Sequence, residues 1–218
     1  MKKLLFILTV VLSSAHLTAQ ESPVNYDDIK TFVTTQPEQF QRLRERFEAC
    51  DNELTTQDAI NLYYGYSFTP LYKGSWDPYQ DEYIGHIRNN NLEEARKSLE
   101  AALKHAPYSL NILMYLNGVM GKTDPTYDKR YAWQFLQLVQ AIKSSGDGKT
   151  EDTALKVIYI TDEYVILNLF YDMKQLKKQT LTSKQCDLME FENKKGETHQ
   201  VYFDISRSMN YLKESMKH

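Results

Sequence analysis

The clearest helical pattern in the chain covers residues 91–107. Ala95, Leu99 and Ala102 recur at the three- and four-residue spacing that places side chains on one face of a helix. Asn91 is a favourable N-cap residue, and Pro107 ends the pattern because proline cannot continue a helix. The small residues on this face predict a helix that packs closely against a neighbouring helix.

Apolar stripes with the same period predict about seven helices in residues 24–145. The stripes comprise Ile29, Phe32 and Val33; Phe40, Leu43 and Phe47; Ile60, Tyr63, Tyr64 and Phe68; and Tyr131, Phe135, Leu138, Val139 and Ile142. The spacing in residues 91–107 is similar to that of the second helix in a tetratricopeptide hairpin. We therefore expect irregular tetratricopeptide-like hairpins. Tyr83 stands where that family usually has glycine, which predicts a wider helix pair.

Alternating patterns replace the helical ones after the polar segment at residues 144–153. Residues 155–160, LKVIYI, predict a buried strand, and residues 175–182 predict a weaker one. Residues 187–192 and 200–205 alternate between apolar and polar side chains, and Gly196 between them predicts a hairpin turn. Two helices are also expected here: one opens at Asp162 and Glu163, and the last carries Met209, Leu212 and Met216 toward the core.

These elements predict an α+β fold with two modules. Irregular tetratricopeptide-like helical hairpins occupy residues 24–145, and a small antiparallel sheet with packed helices occupies residues 146–218. The expected boundary is the polar segment, where the period of the apolar pattern changes.

Residues 1–19 have the pattern of a cleavable signal peptide. Lys2 and Lys3 precede an apolar run at residues 4–12 and a small, polar run ending at Ala19. No cysteine follows the apolar run, so we expect no lipid anchor on an N-terminal cysteine. No long apolar run remains after the leader, so we expect no transmembrane segment in the mature chain. The predicted location is the periplasm or the exterior of the cell.

The net charge argues against nucleic-acid binding, and the cysteine content bears on whether a disulfide is present. Cleavage would remove Lys2 and Lys3 and change the formal net charge from −3 to −5. A mildly acidic chain without a basic stripe lacks the attraction that dominates nucleic-acid binding, so no nucleic-acid partner is expected. Cys50 and Cys186 are the only cysteines. We interpret them as free, partly buried thiols; a disulfide between them, which export would permit, is the alternative.

Nearly the whole chain after the leader resembles a family of uncharacterised exported proteins of Bacteroidetes, known only as a domain of unknown function. The resemblance rests on NLYYGYSFTPLY (residues 61–72), SGDGKTEDTA (145–154), DEYVIL (162–167), CDLMEF (186–191) and VYFDIS (201–206). It implies export and two parts that do not separate. It implies no reaction, so no catalytic residue is assigned. The resemblance also makes Thr153 a candidate for O-glycosylation, because Asp-Thr-Ala fits the short motif that exported proteins of this bacterial group use.

No motif predicts a catalytic or metal site, and no cofactor is expected. The segment SGDGKT ends like a phosphate-binding loop but follows a predicted helix and precedes a predicted strand, the reverse of the required order. Its acidic side chains lack the ordered spacing of a calcium loop. Glu82 and His86 lie one helical turn apart but have no third ligand.

The aromatic residues between residues 63 and 83 provide the remaining functional hypothesis. Tyr66, Tyr72, Trp76 and Tyr79 lie on or beside the segment TPLYKGSWDP, where exposed rings could contact a peptide or glycan partner. The alternative is that these rings form a helix interface. We expect a non-enzymatic binding protein of the bacterial cell envelope; the alternative is an enzyme that processes envelope glycans or peptides. The sequence does not predict the oligomeric state.

Overall fold

The computed structural model describes residues 24–217, so the predicted leader lies outside the described residues. The described part contains nine helices and four strands. The helices are α1 (Tyr26–Thr35), α2 (Pro37–Glu48), α3 (Thr56–Tyr66), α4 (Gln80–Arg88), α5 (Leu92–His105), α6 (Leu110–Thr123), α7 (Arg130–Ser144), α8 (Thr161–Tyr171) and α9 (Ser206–Ser215). The strands are β1 (Leu155–Lys156), β2 (Met173–Leu181), β3 (Cys186–Asn193) and β4 (Thr198–Asp204).

The predicted hairpin around α5 is present. Ala95, Leu99 and Ala102 are fully buried, and α5 packs against α4 before it and α6 after it. Asn91 occupies the N-cap position, although its side chain makes no capping hydrogen bond. Tyr83 on α4 is also buried, and its hydroxyl accepts a hydrogen bond from Asn111 on α6 at 3.1 Å. The large side chain at residue 83 therefore reaches past the hairpin to a third helix.

The strands form one sheet in the order β1-β4-β3-β2. The pairs β2–β3 and β3–β4 are antiparallel, and Gly196 in the turn before β4 has the positive φ of +85° that the hairpin requires. β1 instead runs parallel to β4. The α+β class is confirmed, and the expectation of a wholly antiparallel sheet is corrected by this one short parallel strand.

The predicted strand at residues 155–160 ends at Lys156. Beyond it, the N–H of Ile158 donates to the Tyr63 hydroxyl at 3.2 Å, and the N–H of Ile160 donates to Ser75 Oγ at 2.9 Å. Side chains from the helical region thus replace the strand ladder, which explains why a β-branched, buried segment does not extend the sheet.

One cluster of buried apolar side chains contains residues from both sides of residue 145, from Val24 to Ile205. The module boundary stays a prediction. The last helix departs from its prediction, because Leu212 and Met216 are 51% and 78% exposed. Within residues 24–217, no helix is long and apolar enough to cross a membrane.

Candidate functional site

A groove of about 520 Å³ opens between α2, the segment after α3, and the end of α5. Its lining combines aromatic, basic and apolar side chains. The lining residues are Arg44, Phe47, Glu48, Tyr66, Leu71, Lys73, Leu103, Lys104, His105, Pro107, Tyr108 and Gln134. The groove lies beside the segment in which the sequence predicted a partner surface.

The floor of the groove is a set of interlocked aromatic rings. Tyr108 contacts Tyr66 and Phe47 edge to face, with ring centroids 5.0 and 5.5 Å apart. The Gln134 amide donates to the Phe47 carbonyl at 3.3 Å and ties α7 to the floor. These contacts hold the floor in a fixed shape without any ligand.

The edges of the groove carry more positive than negative charge. Arg44, Lys73 and Lys104 line it, and none of the three has a carboxylate within ion-pair distance among residues 24–217. Arg44 donates from Nε to the Tyr108 hydroxyl at 3.3 Å, so its guanidinium is held above the floor. Of the described residues that line the groove, Glu48 is the one that is acidic. The groove can therefore receive an anionic group.

The segment between α3 and α4 is fastened beside this groove. The ring N–H of His105 donates to the Trp76 carbonyl at 3.1 Å, since a carbonyl can only accept. The Trp76 ring lies edge-on to the His105 ring, at 6.3 Å, and is 72% exposed. A second, shallower depression of about 370 Å³ shares Lys104 and His105 with the groove and is also lined by Tyr79. Together these features form one continuous surface.

The predicted partner residues separate into two groups. Trp76 is exposed and Tyr79 is half-buried beside the second depression. Tyr66 and Tyr72 are only 3% exposed, so the expectation that they are exposed is wrong. The Tyr66 hydroxyl donates to the Leu71 carbonyl at 3.2 Å, and Tyr72 donates to a backbone carbonyl beyond β1. Because each hydroxyl finds a backbone partner, these tyrosines can be buried at little cost.

Two tyrosines of α3 also form hydrogen bonds with backbone groups through their buried hydroxyls. Tyr64 donates to the Lys156 carbonyl at 3.0 Å, and Tyr63 accepts from the N–H of Ile158. Tyr72 donates to the carbonyl of Ile158. Three buried tyrosines thus supply hydrogen-bond partners to the backbone of residues 156–158, where the chain reaches the end of β1 and leaves the sheet.

The cysteines are free in the structure. Cys50 is half-buried and directs its thiol to the Arg130 carbonyl, whereas Cys186 is buried and directs its thiol to the Glu151 carbonyl. Burial raises the pKa of Cys186 to about 11, which keeps it a thiol at neutral pH. The alternative disulfide is not formed.

Thr153 is half-buried in a turn that engages its hydroxyl. Its Oγ1 donates to Asp147 Oδ1 at 2.6 Å and lies 3.0 Å from Thr150 Oγ1. A glycan on this oxygen would replace the hydrogen bond to Asp147. Glycosylation at Thr153 stays a prediction.

Within the described part of the chain, no cluster of three or more His, Cys, Asp or Glu side chains could hold a metal ion. Glu82 and His86 approach to 3.9 Å but form only a surface pair. A different set of acidic side chains is buried, although the sequence assigns them no role beyond starting a helix or a strand. Asp162 and Glu163 at the start of α8 are fully buried, and Asp187 on β3 is 4% exposed.

Asp162 joins the start of α8 to the start of α6. Its Oδ1 accepts from the N–H groups of Leu110 and Asn111, at 2.9 and 3.4 Å, and from Ser109 Oγ at 3.4 Å. Its Oδ2 accepts from the Tyr63 hydroxyl at 2.8 Å. Burial raises the pKa of Asp162 to about 7, and these hydrogen bonds oppose that rise.

Glu163 has the opposite environment. Neither of its carboxyl oxygens has a hydrogen-bond partner among residues 24–217. Burial first, and then the charges of Asp187 and Asp162, raise the pKa of Glu163 well above its ordinary value. An acidic pair beside an apolar run, as in TDEYVIL, is the sequence signal that could have drawn attention to this turn.

Comparison with known proteins places the chain in a family without a described activity. A family model for a domain of unknown function, DUF4919, matches residues 27–214. No curated protein and no solved structure matches the chain. The match covers most of the 218 residues. The chain therefore belongs to the DUF4919 family.

Proposed function

We propose that this protein is an exported, non-enzymatic binding protein of the bacterial cell envelope, and that its groove binds an acidic peptide segment of a partner protein. The observation that carries the proposal is the cationic edge of a preformed aromatic groove. Arg44, Lys73 and Lys104 have no carboxylate partner among the described residues, although the chain as a whole has a formal net charge of −3. Positive charge concentrated at one groove of an acidic protein favours an anionic partner.

Within the groove itself, the low exposure of the aromatic rings favours a peptide over a glycan. A sugar ring stacks on an exposed aromatic face, but the floor residues Tyr66 and Tyr108 are only 3% and 1% exposed. Leu71, at 51% exposure, and Leu103 provide apolar contact area at the sides. Arg44 can hold a carboxylate with two parallel hydrogen bonds. An extended segment with acidic and apolar side chains fits this combination.

Export rests on the leader at residues 1–19, whose basic, apolar and small-residue regions follow the signal-peptide pattern. The tetratricopeptide-like spacing of α5 supports a partner-binding role, since helical hairpins of that type mainly hold other proteins. We expect the mature chain to begin at Gln20 outside the cytoplasm. Edman sequencing of the protein from fractionated cells tests this, and retention of Met1 would contradict it.

The alternative of an envelope-polymer enzyme finds no support in the buried carboxyl groups. A carboxyl pair with raised pKa values in an open cleft would favour hydrolysis. Asp162 and Glu163 are instead completely buried, so a polymer cannot reach either of them. Their environment is that of a joint between structural elements.

The proposed interaction can be tested with defined peptides. Fluorescently labelled peptides of alternating Glu and Leu should bind, and binding should weaken as salt rises from about 0.05 to about 0.5 M because the charges are screened. Peptides of alternating Lys and Leu should not bind. We expect Arg44→Gln and Lys104→Gln each to weaken binding about three- to tenfold.

Lys122→Gln is the matched control, because Lys122 is an exposed lysine on α6 away from the groove lining. It should bind the acidic peptide as the unchanged protein does. Equal binding by all three variants would contradict the proposal. Binding of an oligogalacturonate, with none of the acidic peptide, would instead support a glycan ligand.

A further inference from the structure

A chain of hydrogen bonds joins helix α8 to the sheet outside the groove, and Gln179 in its middle is exposed. The Tyr164 hydroxyl donates to Gln179 Oε1 on β2 at 3.1 Å, and the Gln179 amide donates to Asp187 Oδ2 on β3 at 2.6 Å. Glu163, the residue before Tyr164, is fully buried next to this chain of hydrogen bonds and takes no part in it. The contact thus contains one carboxyl group without any donor.

Among residues 24–217, the two charged groups that act on Glu163 are both negative. Asp187 lies on the same face of β3 as the buried Met189 and Phe191, toward the core. Asp162 is its neighbour in the first turn of α8, and both aspartates act on Glu163 electrostatically. No described cation pairs with any of these three groups.

The cations on β2 are engaged elsewhere. Lys174 and Lys177 pair with Glu192, at 3.3 and 3.0 Å, and Lys178 pairs with Glu190 at 3.8 Å. Glu190 and Glu192 alternate with Asp187 along β3, so their side chains point to the other face of the sheet. On α6, the groups that face this turn are Ser109 and two backbone N–H groups, and all of them bind Asp162.

We propose that the contact between α8 and the sheet is a pH-sensitive joint, closed while Glu163 carries its proton and loosened when the proton is lost. A charged carboxylate without donors or a counter-ion is very costly in a buried site, whereas the neutral acid is tolerated. Ionisation would also place a new negative charge beside Asp162 and Asp187. The joint responds by opening α8 toward solvent, where the carboxylate can be hydrated.

The direction of the effect follows from the raised pKa of Glu163. Its stabilising contribution is complete below the ordinary pKa of 4.5 and is lost as pH rises through the higher pKa in the folded protein. One proton lost on opening changes the closed-to-open ratio by up to about tenfold per pH unit. Ionisation of Asp162 also reduces the stability of the closed state as pH rises, and this reduction ends near pH 7 because burial raises the pKa of Asp162 to about 7.

The test is hydrogen exchange of the mature chain from about pH 5 to about pH 9, with protection factors corrected for intrinsic rates, together with urea unfolding. Protection of α8 should fall with rising pH, by up to about tenfold per pH unit, until Glu163 is ionised in the folded protein. In Glu163→Gln, which cannot ionise, the fall should stop near pH 7, where Asp162 has titrated. Glu190→Gln, on the opposite face of β3, is the control and should behave as the unchanged protein.

A pH profile of α8 protection in Glu163→Gln that matches the unchanged protein would overturn the proposal. Asp187→Asn provides a second measurement that does not need the Gln variant to fold. Removing the negative charge of Asp187 should lower the pKa of Glu163 in the folded protein, because one repulsive neighbour is gone. The fall in α8 protection should therefore level off at a lower pH and leave α8 better protected at high pH than in the unchanged protein. A profile in Asp187→Asn that matches the unchanged protein would equally refute the joint.

Discussion

The first turn of α8 buries two neighbouring carboxyl groups completely and gives them opposite surroundings. Asp162 faces the start of α6 and accepts hydrogen bonds from four groups, whereas Glu163 faces the sheet and accepts none from any described residue. The side chains of Asp162 and Glu163 are equally buried. The difference shows that the supply of donors, and not burial alone, decides how far the pKa of a buried acid rises and therefore how far up the pH scale the contact stays sensitive.

Asp162 also acts as a cap for the N-terminus of α6. The first N–H groups of a helix have no partner within the helix, and Ser109 at the N-cap of α6 makes no side-chain capping bond to its own helix. Asp162 supplies the missing acceptor from another helix, and its ionised form places a negative charge at the positive end of the α6 dipole. This capping from a distance ties residues 110–123 to the segment that leads into the sheet.

The largest expected effect is at Asp162. Asp162→Ala leaves the Tyr63 hydroxyl and the N–H groups of Leu110 and Asn111 without their acceptor, and we expect a loss of about 3 to 5 kcal/mol in the free energy of unfolding. Urea denaturation near pH 7 measures it. Asp162→Asn keeps one acceptor oxygen and should fall between the alanine variant and the unchanged protein. A loss below about 1 kcal/mol in the alanine variant would contradict the capping role.

The next effect concerns the hydroxyl that binds Asp162. Tyr63→Phe removes the donor to Asp162 and also the acceptor for the N–H of Ile158. Both groups are buried, so we expect a loss of about 1 to 3 kcal/mol with the fold unchanged. In the double variant with Asp162→Ala, the two losses should sum to more than the measured total, because both remove the same hydrogen bond. Strict additivity would show that the two residues do not interact.

The sequence predicted the elements better than it predicted the contacts. Helix positions follow from local apolar periodicity, which is why α5 and its buried face at Ala95 and Leu99 were expected correctly. The hairpin of β3 and β4 follows from alternation and from Gly196, which are also local signals. Each of these features depends on residues that are close together in the chain.

The failures involve partners that are distant in sequence. Residues 157–160 look like a strand, but Tyr63, Tyr72 and Ser75, about ninety residues away, supply the hydrogen bonds that a strand neighbour would supply. The sequence predicts Tyr66 and Tyr72 to be exposed because they lie on or beside the segment TPLYKGSWDP, but each side chain is buried and its hydroxyl binds a backbone carbonyl. The groove was not predicted for the same reason. Residues of α2, α5 and α7 line it together, so no single segment of the sequence contains its pattern.

The smallest expected effect is at Tyr159, where the contrast between a buried group with and without hydrogen-bond partners can be tested on an uncharged hydroxyl. Tyr159 is 3% exposed, and its hydroxyl has no hydrogen-bond partner among residues 24–217, while the equally buried hydroxyl of Tyr63 has two. Removing an unsatisfied buried hydroxyl gives up no hydrogen bond and relieves its desolvation. Tyr159→Phe should therefore leave the free energy of unfolding unchanged or raise it by up to about 1 kcal/mol.

Tyr63→Phe is the matched control, because the same atom is removed from a similarly buried ring. Urea denaturation of the two variants under one set of conditions gives the difference directly, and the satisfied hydroxyl should be worth more by about 1 to 3 kcal/mol. An equal loss at both positions would mean that the Tyr159 hydroxyl makes a stabilising hydrogen bond. Tyr159 and Tyr63 would then not differ in whether their hydroxyls are hydrogen-bonded. The pair could no longer be used as uncharged evidence that donor supply separates Asp162 from Glu163.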